Sequence, residues 1–339
     1  MPLHHRKTLL LFIFVFLAAL TVLAVPRAAF AGETVADTID PATVDARDWM
    51  SNLPDDVLIT DLNIPGAHDA AASRLDLSDQ DDLPWAKTQI YHIGDQKWLN
   101  KRWFKPDEWK VDTGLLQRGV RYLDLRFDNL RESEDSELVL THGGYNAWYV
   151  VFNDYFGTNR CEDLVFDKCM EYLHDFLRDH PRETVILEIS QDGNRGSQNR
   201  VQRKLYEFFK SQAENPNLDK YPAVWVGNRV PTLGEARGKV VVLSKIDSRL
   251  AGDYDYGAYP VYRNGKYVGE WAMQIASPGG GGDEKKKTSA RSYINSTMKY
   301  SVWMENRWAG VDDKGKWEWV QNSLNDAETR RSEEREQRG

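Results

Sequence analysis

Two histidines and an arginine stand where this sequence could do chemistry on a phosphodiester. Ile64-Pro65-Gly66-Ala67-His68-Asp69 puts a histidine and an acid just past a tight Pro-Gly turn. Leu140-Thr141-His142-Gly143 puts a second histidine at the end of an apolar run, before two glycines that let a ligand come close. Between them lies Gly119-Val120-Arg121-Tyr122-Leu123-Asp124-Leu125-Arg126. One histidine can take the proton of an attacking hydroxyl while the other protonates the leaving oxygen. Arg126 supplies a permanent charge and a forked set of donors suited to phosphoryl oxygens. Phosphoryl transfer needs mainly positioning and charge stabilisation, so these three groups suffice in principle.

Each phrase closes a short apolar run, so strands must carry these residues. The pattern predicts strands at 62–64, stopped by Pro65-Gly66, and at 120–127, 137–141, 184–189, 239–244 and 300–304. Leu164, Val165, Cys169, Tyr172, Leu173, Phe176 and Leu177 fall on one helical face over 163–178, closed by Asp179-His180-Pro181. A second helix is expected at 200–209, and residues 49–62 carry mixed helix and loop signals. Strands alternating with helices point to an α/β fold with a mainly parallel sheet. No G-x-G-x-x-G phrase follows a strand, so a dinucleotide site is not supported. Polar residues at strand ends favour a β/α barrel, which collects its chemistry at the C-terminal ends of its strands.

The remaining sequence bounds the setting. Hydrophobic residues at 41%, with 12 Trp, 15 Tyr and 12 Phe, are enough for a large core and argue against global disorder. A basic start at His4 to Lys7 precedes an uncharged, mostly apolar run of 18 residues at 8–25. Ala29-Phe30-Ala31 follows with the form of a cleavage site, so residues 1–31 read as an export signal rather than an uncleaved anchor. Its removal takes away Arg6, Lys7 and Arg27 and no acid, moving the net charge from −8 to −11. A chain this acidic is not drawn to nucleic acid, and contact with an anionic surface needs a local patch or apolar insertion. Export permits a Cys161–Cys169 disulfide, whose short loop limits its stabilisation to about 2–3 kcal/mol. Residues 278–287, with Gly279 to Gly282 and Lys285 to Lys287, read as a surface loop. Residues 326–339 form a charged tail.

The I-P-G-x-H-D, G-V-R-x-L-D-L-R and T-H-G phrases, in that order, resemble the X domain of phosphatidylinositol-specific phospholipase C. The resemblance extends to Trp49-Met50 and Leu53-Pro54, to Pro181-x-Glu183-Thr184-Val185-Ile186-Leu187, and to 233–241, and covers 49–245. It implies a distorted TIM-type (β/α) barrel over 32–325 and a phosphatidylinositol diacylglycerol-lyase. His68 would be the base on the inositol 2-hydroxyl, Arg126 would stabilise the charged phosphorane, and His142 would protonate the diacylglycerol oxygen. Asp69 would support His142, and Asp124 would orient Arg126. Calcium-dependent relatives carry an acid where this chain has Arg126 and an Asn where it has Asp69. The resemblance therefore implies a metal-independent enzyme without a cofactor, a monomer acting on phospholipid at a membrane surface.

The chain departs from the family pattern in several places. Basic residues near the ends of the next strands become Ser190 or Gln191 and then Lys245, which can still hold a phosphate or inositol oxygen. Glu305 is the candidate acid for inositol. The family's aspartate on a last strand, partner of the base histidine, is not found before the charged tail, which leaves the barrel incomplete at its C-terminus or an earlier segment in its place. Trp85, Trp98, Trp103, Phe104 and Trp109 crowd an insertion near 80–112, read as aromatic packing in preference to an interfacial loop. The alternatives are a related phosphodiesterase acting on another phosphodiester and an inactive lipid-binding protein.

Overall fold

Runs of apolar residues, β-branched and leucine within 185–191 and 239–244, form the central strands. The computed structural model describes residues 44–67, 70–71, 114–133, 135–142, 145–153, 158–193, 198–246, 259–276, 289–294 and 301–305. For 145, 148–153, 158–161, 198–199, 276, 289–294 and 301–305 the description is of the backbone. The export signal, His68, Asp69, the Trp-rich insertion, the loop at 278–287 and the charged tail lie outside the described residues.

The elements are β1 (Gly66–Ala67), β2 (Tyr122–Asn129), β3 (Leu138–His142), β4 (Tyr145–Asn146), β5 (Trp148–Asn153), β6 (Thr158–Asp163), α1 (Phe166–Asp179) and β7 (Val185–Gln191). They continue as α2 (Gln198–Glu214), β8 (Ala223–Val224), the short α3 (Leu233–Ala236), β9 (Lys239–Ser244), β10 (Pro260–Arg263), β11 (Lys266–Glu270), β12 (Ala272–Ala276), β13 (Ser289–Ile294) and β14 (Ser301–Glu305). Strands β2, β7, β9 and β12 lie side by side and parallel. The sheet runs on through antiparallel β13 and β14 on one side and antiparallel β3 and β4 on the other. The α/β class with a parallel centre is thus present. Among the described residues the sheet has two ends, β14 and β4, and no closed ring. Strands β3 and β13 return antiparallel to their neighbours, which interrupts the βα repeat of a regular barrel.

The expected strand at 62–64 is displaced. Pairing begins at Gly66, which faces Tyr122 in parallel register. Pro65 has no N–H for a ladder, and its carbonyl instead accepts the N–H groups of Arg121 and Tyr122 at 2.9 and 3.1 Å. A Cβ at Gly66 would stand 3.2 Å from Cβ of Tyr122, so this close docking on β2 suits glycine.

The two faces of the sheet carry different cores. Leu123, Leu125, Phe127, Leu187, Ile189, Val240 and Val242 pack with α1 and α2. The helices bury Phe166, Cys169, Met170, Leu173, Phe176 and Leu177 from α1 and Val201, Leu205, Phe209 and Ala213 from α2. On the other face Tyr122, Ile186, Val241, Leu243, Met273 and Ile275 meet Ile59, Trp225 and Val230. The expected disulfide is not formed: Cys169 is a free thiol, fully buried. Helix α1 turns it into the core as one of its apolar knobs, and burial pushes its thiol well above the usual range. The side chain of Cys161 lies outside the description.

A charged clamp closes the end where the parallel strands begin. Arg121 and Glu183 form a 2.8 Å ion pair with both side chains fully buried. Arg121 also donates to the carbonyls of Leu116, Val120, Ala46 and Arg47, and its guanidinium lies 4.5 Å from the centre of the Phe176 ring. Glu183 accepts from the Ser51 N–H. Arg237 donates to Asp55, Met50, Arg182 and Leu53. Three of the matched phrases, 49–54, 181–187 and 233–241, therefore meet at the base of the sheet.

Candidate active site

One face of the parallel sheet turns from apolar to ionic in two steps. Tyr122, Ile186 and Val241 share one level across β2, β7 and β9. Asp124, Glu188 and Leu243 share the next level on the same face, two residues on. Arg126 and Ser190 share the third, where Lys245 follows the last pair of β7 and β9, Ile189 with Ser244. These are the C-terminal ends of parallel strands, where α/β enzymes place their chemistry.

Asp124 and Glu188 each hold a cation. Arg126 Nη2 donates to Asp124 Oδ2 at 3.1 Å, with Asp124 nearly buried and Arg126 partly open to solvent. Lys245 Nζ pairs with Glu188 Oε1, and the Tyr122 hydroxyl donates to Glu188 Oε2. Glu188 is 1% exposed, so neighbouring groups rather than water must satisfy its charge. Burial, and then the charge of Glu188, hold the Tyr122 phenol well above its ordinary range, so it stays an O–H donor.

His142 closes β3, half-buried, with its backbone paired to Tyr145 of β4. The preceding Thr141 donates from Oγ1 to the Asp192 carbonyl at 2.9 Å. Asp192 in turn donates its N–H to the Phe127 carbonyl, so the ends of β2, β3 and β7 are laced together. His68 and Asp69 lie outside the described residues, but both flanks of the pair are anchored on β2. Ala67 pairs with Leu123, and the Ala70 N–H donates to the Asp124 carbonyl at 2.9 Å.

Glu305 is not brought to this level. Ala276 pairs with Tyr293 and Tyr293 with Ser301, so Glu305 lies four residues beyond Ala276, roughly 13 Å along the strand direction. Lys245 is level with Ile275, one residue before Ala276. The acid beside Lys245 is Glu188, which none of the sequence phrases singled out. Its signal was present: one carboxylate inside the apolar run Val185-Ile186-Leu187-Glu188-Ile189 needs a buried cation.

Residues 86–246 match the family model described as phosphatidylinositol-specific phospholipase C, X domain. The family resemblance is thus shown over that span, which includes Asp124, Arg126, His142, Glu188 and Lys245 and leaves out His68, Asp69 and Glu305. The chain is 27% identical over 221 residues to a 1-phosphatidylinositol phosphodiesterase of Staphylococcus aureus (strain Newman), covering 65% of this chain and 56% of the relative. It is 26% identical over 206 residues to a protein of the same description from Listeria monocytogenes serovar 1/2a, covering 60% and 50%. The chain spans about half the length of these curated relatives. Among solved structures it is similar to the F249X mutant of the Staphylococcus aureus phosphatidylinositol-specific phospholipase C, with TM-score 0.47 and 19% identity over 82% of this chain and 71% of that one.

Proposed function

We propose that this chain, with its match to the X domain of phosphatidylinositol-specific phospholipase C, cleaves the phosphodiester of phosphatidylinositol at a membrane surface. The observation that carries this reading is Arg126, set at the C-terminal end of a parallel strand and braced by the nearly buried Asp124. His68 takes the proton of the inositol 2-hydroxyl, whose oxygen attacks phosphorus. Arg126 neutralises the charge that grows on the phosphoryl oxygens. His142 gives a proton to the diacylglycerol oxygen as its bond to phosphorus breaks. The products are diacylglycerol and a cyclic inositol phosphate, so attack is intramolecular and needs no bound water. Asp69 is assigned as the support of His142.

The permanent charge of Arg126 does electrostatically what a divalent cation could do, and it would repel such a cation from the same place. The reaction is therefore assigned as metal-independent. Purified protein incubated with phosphatidylinositol vesicles in EDTA should release cyclic inositol phosphate. Turnover that requires added Ca²⁺ would sink the metal-free assignment. Vesicle binding without release under either condition would favour a lipid-binding protein instead. Export through residues 1–31 is part of the same proposal, and N-terminal sequencing of secreted protein should begin at Gly32.

A further inference from the structure

Arg126 and Lys245 stand two strands apart, on β2 and β9, with β7 between them. Backbones at that separation are about 10 Å apart, so two flexible cationic side chains meet at one phosphate only if they lean toward one another. One contact fixes the arginine and a second narrows the gap. Arg126 leans back onto Asp124 of its own strand. Lys245 leans across to Glu188 on the central strand, which draws its ammonium from β9 toward the arginine. Glu188 is itself fixed from the other side by the Tyr122 hydroxyl, its two carboxylate oxygens serving one partner each. The ammonium keeps two further donors for a ligand.

We infer that Glu188, braced by Tyr122, is a positioning residue that holds Lys245 beside Arg126 so that the two cations form one floor for a phosphodiester anion. This rests on the proposed phosphodiester reaction and adds a role for a buried carboxylate that acts only through Lys245. A free lysine has a flexible four-carbon stem and a mobile point charge, so its value as a phosphate ligand depends on such a tether.

The test is a double-mutant cycle on the full chain with Glu188→Gln, Lys245→Met and their combination. Tyr122→Phe/Glu188→Leu serves as a second form, because removing both buried polar partners together preserves folding better than removing one. The readouts are the affinity for inorganic phosphate by calorimetry, and KM and kcat on phosphatidylinositol vesicles. Loss of the tether should weaken phosphate and raise KM about tenfold, with kcat changed little, an effect of one charge-assisted hydrogen bond. In the Lys245→Met background, the Glu188 change should add nothing. Tighter phosphate binding by Glu188→Gln would mean a masking charge and overturn the inference. So would an equal effect with and without Lys245, a lowered Tm with unchanged KM, or a wild type that binds no phosphate. A wild type that binds phosphate through the coupled pair but leaves phosphatidylinositol intact would defeat the proposed reaction alone.

Discussion

Asp124 and Glu188 face each other as paired positions on the parallel strands β2 and β7, and each carboxylate holds a different cation. Two carboxylates at adjacent, nearly buried positions would repel one another if left alone. Arg126 and Lys245 remove that penalty and are held in place by doing so. The same contacts thus satisfy buried charge and aim two donors toward the open end of the sheet.

The arginine should be the more sensitive of the two cations. Arg126→Lys keeps the charge but loses the planar fork, and turnover of phosphatidylinositol should fall about 10²-fold. Asp124→Asn keeps Arg126 and weakens its brace, so a smaller loss, about tenfold, is expected. Both variants should unfold within a few degrees of wild type, because Arg126 is partly exposed and neither change opens a cavity. An Asp124→Asn loss larger than that of Arg126→Lys would show that the carboxylate has a role of its own.

The clamp at the opposite end makes the contrasting prediction. Arg121 and Glu183 are fully buried, and Arg121 ties the 46–47 backbone to the sheet. Glu183→Gln leaves a buried guanidinium without its counter-charge, which costs about 3–5 kcal/mol of folding free energy. Urea titration should show the shift in midpoint, and kcat per folded molecule should remain that of wild type. A fall in kcat with no change in midpoint would place the pair in the chemistry instead.

The sequence made the parallel centre legible because buried parallel strands read as continuous apolar runs, as 184–189 and 239–244 do. Its strand for 239–244 coincides with β9. Other parts were hidden for physical reasons. Gly66–Ala67 pairs over only two residues, too short for any periodicity, and Pro65 mimics a strand stop while its carbonyl docks the chain. The hairpins β5–β6 and β10–β11 lie outside the main sheet, and of these Trp148-Tyr149-Val150-Val151-Phe152 in β5 is a plain strand signal absent from the strands expected from the sequence. Lone charges such as Glu188 carry no motif, since what defines them is a partner on a neighbouring strand. Arg121 and Arg126 fall in one phrase, yet one serves the base and the other the open end, because five residues along a strand separate the two ends.

Gly119 supplies a backbone test of that first phrase. It adopts φ +91°, and a Cβ there would stand 3.3 Å from the Ala46 carbonyl oxygen. The turn delivers Val120 and Arg121 into β2, with the Gly119 carbonyl accepting from the Trp49 indole at 2.9 Å. Gly119→Ala should cost about 1–3 kcal/mol from the left-handed conformation alone. Thermal melting should register this as a lower Tm. An unchanged Tm would mean that the turn can relax into another conformation.

His142 offers the sharpest test of the proposed chemistry, because a general acid matters only as much as the leaving group needs a proton. Diacylglycerol leaves as a basic alkoxide unless it is protonated, whereas an aryl oxygen such as p-nitrophenolate leaves readily without help. His142→Ala should therefore lower kcat on phosphatidylinositol by about 10²–10⁴-fold. On inositol p-nitrophenyl phosphate the same variant should lose far less, since attack by the 2-hydroxyl and stabilisation by Arg126 are both retained. Arg126→Lys should lose similarly on both substrates, because charge on the phosphoryl oxygens develops with either leaving group. Equal losses for His142→Ala on the two substrates would remove it from the role of acid and point to a part in binding or in activating the nucleophile.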